Sequence, residues 1–486
     1  MIKSQIVRYW GRKPFELASR YINRYSKPGE IVADTFGGSG IFVAAALEFG
    51  RRAIYVDLNP FAELIAHSLI GGCDLSEYQQ AVQKILSRKT IKVKIKDHRT
   101  SLETRRLFHV RCMCKRSAEV KSVTFTRIYR VKSTKYIEFK GIEDKVLRTI
   151  KKKKQISHEE LCRAHKNICT QSLSNAVKRL VKLGVVSEKQ LPINVCLLKP
   201  CKCGRAKITL QRGNIWTIKG PIEPCYWYPM NSLEYKNGKP FLKRRDVLRV
   251  NEFFMDRSLA LLSAIWHDIN RLKVDDRTKR CLKLTFMATL ARSSKMCRDS
   301  GGTWPINSYW IPRKFVVKNP YTVFENAANQ MIRFLEKTSK FNSGDFSGVM
   351  CNGADITFQV ADSTRISLPK NSLDYVIIDP PHTDEAQFLE LSLFYTSWLR
   401  EKLHFKNELI INPQQGKNLD NYLSMLNGAA ERIRYALKHG KYFTIILHEE
   451  DKRILNQCIQ KVCRVGFELI RKERVKDFSI YTLQKI

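Results

Sequence analysis

The sequence predicts an α/β fold whose open, mainly parallel sheet is divided in two by a large insertion. Two distant segments carry this prediction. An apolar run at residues 31–33 leads into the loop DTFGGSG, and another at 375–378 leads into DPPH. Ligands of open α/β sheets bind outside the carboxyl ends of the strands. We therefore expect both loops to face one pocket, although they lie far apart in the chain.

The first part of the sheet domain is predicted over residues 1–74. Apolar residues recur at helical spacing over 14–25, and Lys27-Pro28-Gly29 ends that helix. After the glycine loop, the run IFVAAALEFG predicts a helix closed by Gly50, and the next strand, at 53–56, ends in Asp57. This strand, helix, strand order is typical of a parallel sheet.

The second part of the sheet domain is predicted over residues 356–486. Strands are expected near 357–360, at 373–378 and at 442–447, followed by a helix at 453–464. Two short strands near 467–470 and 479–483 then predict a terminal antiparallel hairpin.

The insertion, residues 75–355, begins with a predicted nucleic-acid-recognition region at 75–255, which contains a candidate recognition unit at 141–190. Its pattern predicts three short helices, of which the second starts with a capping box of Ser157 and Glu160 and the third stops at Gly184. Three helices followed by a short β segment is the order of a winged helix. A purely structural three-helix bundle fits the same pattern.

The charge of the chain points to a polyanionic partner. Against 46 acidic residues stand 86 Lys and Arg, which gives a formal charge of +40. So large an excess of positive charge repels itself unless a polyanion is near, so nucleic acid is the leading partner. If the recognition unit is a winged helix, the partner is expected to be duplex DNA. A generally basic, solubilising surface is the alternative. The third helix displays cations suited to phosphate contact: Lys178, Arg179 and Lys182.

Two C-x-C pairs flank this unit, in segments 105–135 and 191–220. Four thiolates in two close pairs suit tetrahedral zinc, so the candidate metal ligands of a zinc-ribbon-like element are Cys112, Cys114, Cys201 and Cys203. The alternative is that these cysteines pack as small hydrophobic residues. The remaining cysteines show no comparable pairing and are interpreted as structural.

Residues 256–355 are predicted to be mainly helical, with an aromatic segment at 304–310. Aromatic side chains beside Arg313 and Lys314 would suit stacking on bases, although such residues are more often core. The opening MIKSQIVRYW contains no apolar signal segment, and no run approaches the roughly 18 apolar residues of a membrane span. We expect a cytoplasmic protein with reduced thiols and no membrane insertion.

The loops themselves indicate a nucleoside cofactor and an amine target. Glycines let the main chain approach a ligand closely, and Asp57 at the end of the second strand can accept ribose hydroxyls. The G-x-G-x-x-G spacing of dinucleotide binders is absent, which disfavours a pyrophosphate. Asp362 follows the third strand, where it can accept a bond from an adenine amino group.

The DPPH loop supplies two acceptors. Because proline has no N–H, the carbonyl of Pro380 is left to face outward beside Asp379. Two acceptors can hold both hydrogens of an exocyclic NH₂ and direct its lone pair at an electrophilic methyl, while His382 stacks on the base. A rigid turn after a buried strand is the structural alternative for this motif alone.

In this order, DTFGGSG, YVDLNP, DSTRISLP and DPPH resemble the motifs of S-adenosylmethionine-dependent amino-methyltransferases that act on adenine N6 or cytosine N4. The segments around the two loops are most similar to adenine-specific DNA methylases with a zinc ribbon. The resemblance covers residues 1–70 and 356–486 well and the insertion loosely. It implies a Rossmann-like methyltransferase sheet.

Carried over by position, the resemblance implies a cofactor site and a catalytic loop. Asp34 and the glycine loop would lie beside the methionine part of S-adenosylmethionine, Asp57 on the ribose and Asp362 on the adenine. The cofactor set is Asp34, Phe36, Gly37, Gly38, Gly40, Asp57 and Asp362. The catalytic loop is Asp379, Pro380, Pro381 and His382, where the family usually has Tyr or Phe in place of His382.

The resulting hypothesis is a site-specific DNA methyltransferase acting on a flipped base, most readily adenine N6. Cytosine N4, an RNA amino-methyltransferase and a non-catalytic nucleic-acid-binding regulator remain alternatives. The sequence does not indicate the recognition site, the oligomeric state or a partner in a restriction-modification or defence system.

Overall fold

The computed structural model of the protein describes residues 6–486 except positions 8, 12, 96–97, 113, 115, 132–140, 184, 210–215, 217, 219, 246, 299–307, 339, 382, 384–385 and 476. His382, Gly184 and most of the aromatic segment at 304–310 thus lie outside the described residues. Among the helices that are described, none is long and apolar enough to cross a membrane.

Helices and strands alternate at both ends of the chain. The helices are α1 (Phe15–Tyr25), α2 (Ile41–Glu48), α3 (Pro60–Gly71), α4 (Leu75–Leu86), α5 (Ile142–Lys153), α6 (His158–Ala164), α7 (Thr170–Lys182), α8 (Asp256–Arg271), α9 (Asp276–Ser293), α10 (Pro320–Leu335), α11 (Phe346–Met350), α12 (Phe388–Leu399), α13 (Leu419–Ala436) and α14 (Lys452–Arg464). The strands are β1 (Ile31–Asp34), β2 (Arg52–Asp57), β3 (Thr90–Ile95), β4 (His98–Glu103), β5 (His109–Arg111), β6 (Ser117–Val131), β7 (Ile156–Ser157), β8 (Val186–Leu197), β9 (Lys207–Thr209), β10 (Glu223–Pro224), β11 (Lys314–Lys318), β12 (Ile356–Val360), β13 (Leu373–Ile378), β14 (Leu437–Leu447), β15 (Phe467–Val475) and β16 (Phe478–Lys485).

A seven-stranded sheet unites the two ends of the chain, so the fold is mixed α/β with a central sheet. Its strand order is β12-β2-β1-β13-β14-β16-β15. The first five strands run parallel, whereas β16 is antiparallel to both β14 and β15. In the centre, Val32 of β1 pairs with Tyr375 of β13. The strand order reverses between β1 and β13, the place where open sheets bind ligands.

Helices cover both faces of this sheet because its central strands are apolar on both sides. Tyr21 and Ile22 of α1 pack with α2 against Val32 and Ile377 on one face. On the other face, α13 and α14 pack against a cluster that includes Ile378. Buried parallel strands that are apolar throughout require such cover on both sides.

The insertion contributes to the main core and also contains a small core of its own. Helix α9 packs against α3 and α10. The apolar side chains of these three helices belong to the same cluster as Tyr55 of β2 and Trp398 of α12. Helices α5, α6 and α7 enclose a separate cluster with Leu147, Leu161 and Leu180. This three-helix unit is joined to the rest by the antiparallel pair β6 and β8.

The observed bounds extend several predicted elements. Strand β14 starts at Leu437 rather than 442. Strand β15 continues to Val475 through charged, largely exposed residues, and β16 extends from Phe478 to Lys485 where it pairs with β15. The capping box of Ser157 and Glu160 is present at the start of α6. The long strand β6 was not predicted, since only a short β segment near residues 185–186 was expected in this region.

Candidate active site

The glycine loop connects the end of β1 to the start of α2. Its main chain turns through left-handed conformations, with φ of +48° at Gly38 and +78° at Gly40. A β-carbon at Gly40 would lie 2.9 Å from that of Ala66, so helix packing requires glycine there. Three hydrogen bonds connect the loop to β2. The Gly37 N–H donates to the Val56 carbonyl, the Gly38 N–H to the Asp57 carboxylate, and the Tyr55 hydroxyl to the Gly38 carbonyl.

Asp57, at the end of β2, accepts two backbone hydrogen bonds of 2.7 Å. Its Oδ2 binds the N–H of Gly38 and its Oδ1 binds the N–H of Asn59. Burial raises the pKa of Asp57 to about 6, although both N–H donors act in the opposite direction. The carboxylate is therefore held in place and changes charge in slightly acidic solution.

Asp34, at the end of β1, is buried with one oxygen unsatisfied. Its Oδ1 accepts the N–H of Phe36 at 3.0 Å, whereas its Oδ2 has no hydrogen-bond partner among the residues that the structure describes. Burial raises the pKa of Asp34 well above its usual value, and the carboxylates of Asp57 and Asp379 add to the shift. A buried acceptor without a donor costs free energy, so a ligand with an N–H group would stabilise this position.

The DPP segment follows β13 directly. The ammonium of Lys13 contacts Asp379 Oδ2, and His448 Nε2 lies 4.0 Å from Asp379 Oδ1. The hydroxyl of Tyr422 donates to the Pro381 carbonyl at 3.0 Å. Further along, the Ile411 N–H donates to the carbonyl of Thr383 at 2.6 Å. The contacts of Tyr422 and Ile411 hold the loop against α13 and against the segment that precedes α13.

Asp362 follows β12 and is fixed by its own turn. Its Oδ1 accepts the backbone N–H of Thr364 at 2.9 Å and the Thr364 hydroxyl at 2.7 Å. The hydroxyl of the next residue, Ser363, donates to the carbonyl of Thr35 in the glycine loop. The ends of β12 and β1 are thus connected directly.

One cleft joins most of the predicted site residues. Its walls include Asp34, Phe36, Gly37, Gly38, Asp57, Asp362, Asp379, Pro380 and Pro381. Gly40 does not line this cleft; its contact with Ala66 gives it a packing role instead. His382 lies outside the described residues, so its predicted stacking position stays a prediction.

The cleft also contains residues that the sequence did not single out. Tyr9 and Lys13 come from the segment before α1, and Phe388, Leu389 and Glu408 from around α12. The Tyr9 ring lies against Gly38 and stacks on Phe388, with ring centroids 6.1 Å apart. Burial raises the pKa of Glu408, whose Oε1 accepts the Leu389 N–H at 2.9 Å. These residues belong to no short sequence motif that would predict a place in the cleft, because each of their contacts joins positions far apart in the chain.

The four predicted zinc ligands form one cluster. Cys112 and Cys114 lie in the turn between β5 and β6, and Cys201 and Cys203 in the turn between β8 and β9. The sulfurs of Cys112 and Cys203 are 3.6 Å apart, those of Cys114 and Cys201 are 3.5 Å apart, and all four lie within 4.8 Å of one another. Tetrahedral zinc with bonds of about 2.3 Å separates its sulfurs by roughly 3.8 Å. The cluster therefore has the size of a zinc site.

The three cations predicted for nucleic-acid contact lie exposed on α7: Lys178, Arg179 and Lys182. Arg179 is engaged within the unit, because its Nη1 lies 3.3 Å from Glu143 Oε1 on α5. Lys178 instead lines a groove together with Trp310 and Arg313. Helix α7 therefore contributes Lys178 to a groove that also contains Arg313 and the Trp310 ring.

The first part of the chain matches a known family. Residues 3–68, which contain α1, the glycine loop and Asp57, match a family model described as DNA methylase. The match covers the first of the two parts of the central sheet. A comparison with curated proteins finds no match.

Similarities to solved structures are weak. The [4+2]-cyclase SpnF is 11% identical, with 27% of this chain and 57% of that chain covered. A SAM-dependent methyltransferase from Methanosarcina mazei is 10% identical, with 27% of this chain and 68% of that chain covered. A SAM-dependent methyltransferase from Aquifex aeolicus is 14% identical, with 32% of this chain and 64% of that chain covered. The chain thus spans less than two thirds of SpnF and of the Aquifex protein. All three TM-scores are 0.17, which supports no conclusion about this chain.

Proposed function

We propose that this chain is an S-adenosylmethionine-dependent DNA methyltransferase that modifies an exocyclic amino group, adenine N6 in preference to cytosine N4. One observation carries the proposal: the glycine loop, Asp57, Asp362 and the Asp379-Pro380 pair line a single cleft. The DNA methylase match over residues 3–68 supports it independently. The preference for adenine rests on the resemblance of the DPPH segment to adenine-specific methylases.

The chemistry of the cleft fits the cofactor. When bound, S-adenosylmethionine supplies a sulfonium methyl group as the electrophile. The buried, unsatisfied oxygen of Asp34 suits the ammonium of its methionine part, beside Phe36 and the glycine loop. Asp57 is assigned to the ribose hydroxyls and Asp362 to the adenine amino group. The carboxylates of Asp34, Asp57 and Asp362 also suit S-adenosylmethionine because this cofactor carries two positive groups, an ammonium and a sulfonium.

Asp379 and the Pro380 carbonyl are assigned to the target amine. An exocyclic NH₂ has two hydrogens, and two fixed acceptors hold both, which turns the nitrogen lone pair away from them. Neither Pro380 nor Pro381 carries an N–H group that could donate to acceptors in the cleft. Asp379 is also proposed to accept the proton that the nitrogen must release after methylation. His382 is proposed to stack on the base.

The base must leave the duplex to reach this cleft. Flipping costs a few kcal/mol, which contacts to the DNA backbone offset. We assign those contacts to α5, α6 and α7, interpreted as a winged helix, with Lys178, Arg179 and Lys182 facing phosphates. The groove beside Lys178 supports this assignment, because Arg313 adds a second cation and Trp310 a partly exposed ring.

The cysteine cluster is proposed to bind one structural zinc ion as a zinc-ribbon-like element. Both C-x-C turns connect strands of the sheet that carries the three-helix unit, so the metal would fix β5 and β9 to β6 and β8. We also propose the predicted division of the chain into residues 1–74 and 356–486 for methyl transfer, 75–255 for recognition and 256–355 as a helical region.

Methyl transfer from labelled S-adenosylmethionine tests the proposal. Purified protein should label duplex DNA, and Asp379→Asn should lower that rate by at least about 100-fold, because one acceptor becomes a donor of similar shape. DNA affinity should stay nearly unchanged in this variant. Asp276→Asn, an exposed change in the first turn of α9, is the matched control and should retain the rate.

The possible results separate the alternatives. Labelling of RNA but not DNA would change the substrate class. Cofactor binding without transfer to either would favour a non-catalytic regulator, and full activity of Asp379→Asn would remove the proposed mechanism. Digestion of labelled DNA to nucleosides would identify adenine N6 or cytosine N4 as the acceptor.

A further inference from the structure

We infer that Lys13 is a positioning residue, which orients the Asp379 carboxylate for the target amine. The inference rests on the proposed function and extends it to the segment before α1. Lys13 precedes Pro14, the N-cap residue of α1, and it is 366 positions away from Asp379 in the chain. The contact therefore exists only because the two ends of the chain form one sheet.

The ammonium of Lys13 is enclosed by fixed groups. It contacts Asp379 Oδ2, lies 3.4 Å from the carbonyl oxygen of Gly11 and is 5.7 Å from the centre of the Phe478 ring. The side chain of Lys13 is only 5% exposed and that of Asp379 16%. A cation held by a carboxylate, a carbonyl and an aromatic face has little freedom to move.

This contact restricts a side chain that would otherwise rotate. The terminal torsion of aspartate is broad, so a carboxylate without a fixed partner has no preferred plane. The Lys13 ammonium selects one plane, and each carboxylate oxygen still has a second lone pair for another donor. The Asp379 acceptor can therefore be oriented before the base arrives, which spares the cost of ordering it during the reaction.

Lys13 also balances the charge of the cleft. Asp34 and Asp57 line the same cleft as Asp379, and the proximity of Lys13 partly opposes the rise in the pKa of Asp34 that burial causes. Among the described residues, the titratable groups that face Asp379 include Lys13, His448 from the end of β14, Asp34 from the end of β1 and Tyr422 of α13. A buried ion pair often adds little net stability, because taking two charges out of water is costly. A role in function therefore explains the pair between Lys13 and Asp379 better than a purely stabilising role.

An opposite role makes the reverse prediction. An ammonium and an exocyclic amine are both N–H donors, so Lys13 would compete with the target if it had to leave Asp379 before the base entered. In that case removing the ammonium would speed the reaction. Orientation and competition are therefore distinguished by the sign of one rate change.

The test compares Lys13→Met, Lys13→Arg and the exposed-surface control Lys27→Met in single-turnover methylation. We expect Lys13→Met to lower the rate by about 100-fold, with the DNA and cofactor dissociation constants changed by less than about threefold. Lys13→Arg should recover part of the rate, and Lys27→Met all of it. The acid limb of the Lys13→Met pH profile should move to higher pH, because a nearby cation favours the carboxylate form.

A crystal structure of each variant gives a readout that needs no methyl transfer. The Asp379 carboxylate should keep its plane in Lys13→Arg and turn in Lys13→Met. An unchanged plane in Lys13→Met, or a rate at or above that of the unaltered protein, would overturn the inference. If the unaltered protein transfers no methyl group, the proposed function fails, and the two crystal structures still decide whether Lys13 orients Asp379.

Discussion

Acidification should weaken cofactor binding through Asp57. Burial raises the pKa of this carboxyl to about 6, so it is ionised above that pH and protonated below it. A group with this pKa is about 97% ionised at pH 7.5 and about 9% ionised at pH 5. If the ionised form alone binds the ribose hydroxyls, affinity should fall by about tenfold over this range, which corresponds to about 1.4 kcal/mol. A hydrogen bond to a charged group contributes a similar amount.

Calorimetric titration of S-adenosylmethionine at several pH values measures this effect directly. Asp57→Asn should bind about tenfold more weakly than the unaltered protein at pH 7.5 and should lose most of the change between pH 7.5 and pH 5. Asp420→Asn, an exposed change on α13, should behave like the unaltered protein and so corrects for titration of the ligand. Undiminished binding at pH 5, or full pH dependence in Asp57→Asn, would refute the assignment of Asp57 to the cofactor.

Three further predictions concern the metal, the DNA surface and the glycine loop. Purified protein should contain one zinc ion per chain, and Cys201→Ser should release it and lower the melting temperature; metal-free protein with four titratable thiols would contradict the zinc site. Lys178→Ala and Lys182→Ala should each reduce the slope of log affinity against log salt by about 0.9, and an unchanged slope would mean that α7 does not contact phosphates. Gly40→Ala should lower the free energy of unfolding by more than about 1 kcal/mol, and by more than Gly29→Ala, whose added β-carbon at a similar φ meets open space. Equal losses in these two variants would show that the contact with Ala66 does not matter.

The sequence was sufficient for the central sheet because its signals are local. An apolar run that ends in a glycine or proline loop predicts a buried strand. It also predicts that the loop lies at the edge of the sheet formed by the carboxyl ends of the strands. The rule that ligands bind at the carboxyl ends of such strands then predicts that the loops after β1 and β13 meet. The structure has these two strands as neighbours and both loops in one cleft.

The sequence could not predict contacts that depend on the assembled fold. Lys13 and Glu408 belong to no short motif, and each becomes part of the cleft only through elements that pack beside it. Strand β6 was missed for a different reason: apolar residues alternate with polar and charged ones along its 15 residues. This alternation is the signal of a strand with one exposed face, whereas only continuous apolar runs were interpreted as strands. Its pairing with β8 also explains how two distant C-x-C turns come together.

The polar start of β14 illustrates how tertiary pairing extends an element. Residues 437–441 contain Lys438, His439 and Gly440, which do not favour a strand by composition. Leu437 nevertheless pairs with Leu373 of β13, and a register shift follows between Leu373 and Tyr375. The neighbouring strand therefore determines where β14 begins.

The central claim is that a cofactor methyl group and a target amine meet in the cleft between the glycine loop and the DPP segment. Long-read detection of modified bases in DNA from cells that express the protein tests it most directly. We predict methylation of adenine N6, or else of cytosine N4, at a defined sequence, and its loss with Asp379→Ala. Unmodified DNA with the unaltered protein, or the same modification with Asp379→Ala, would contradict the claim.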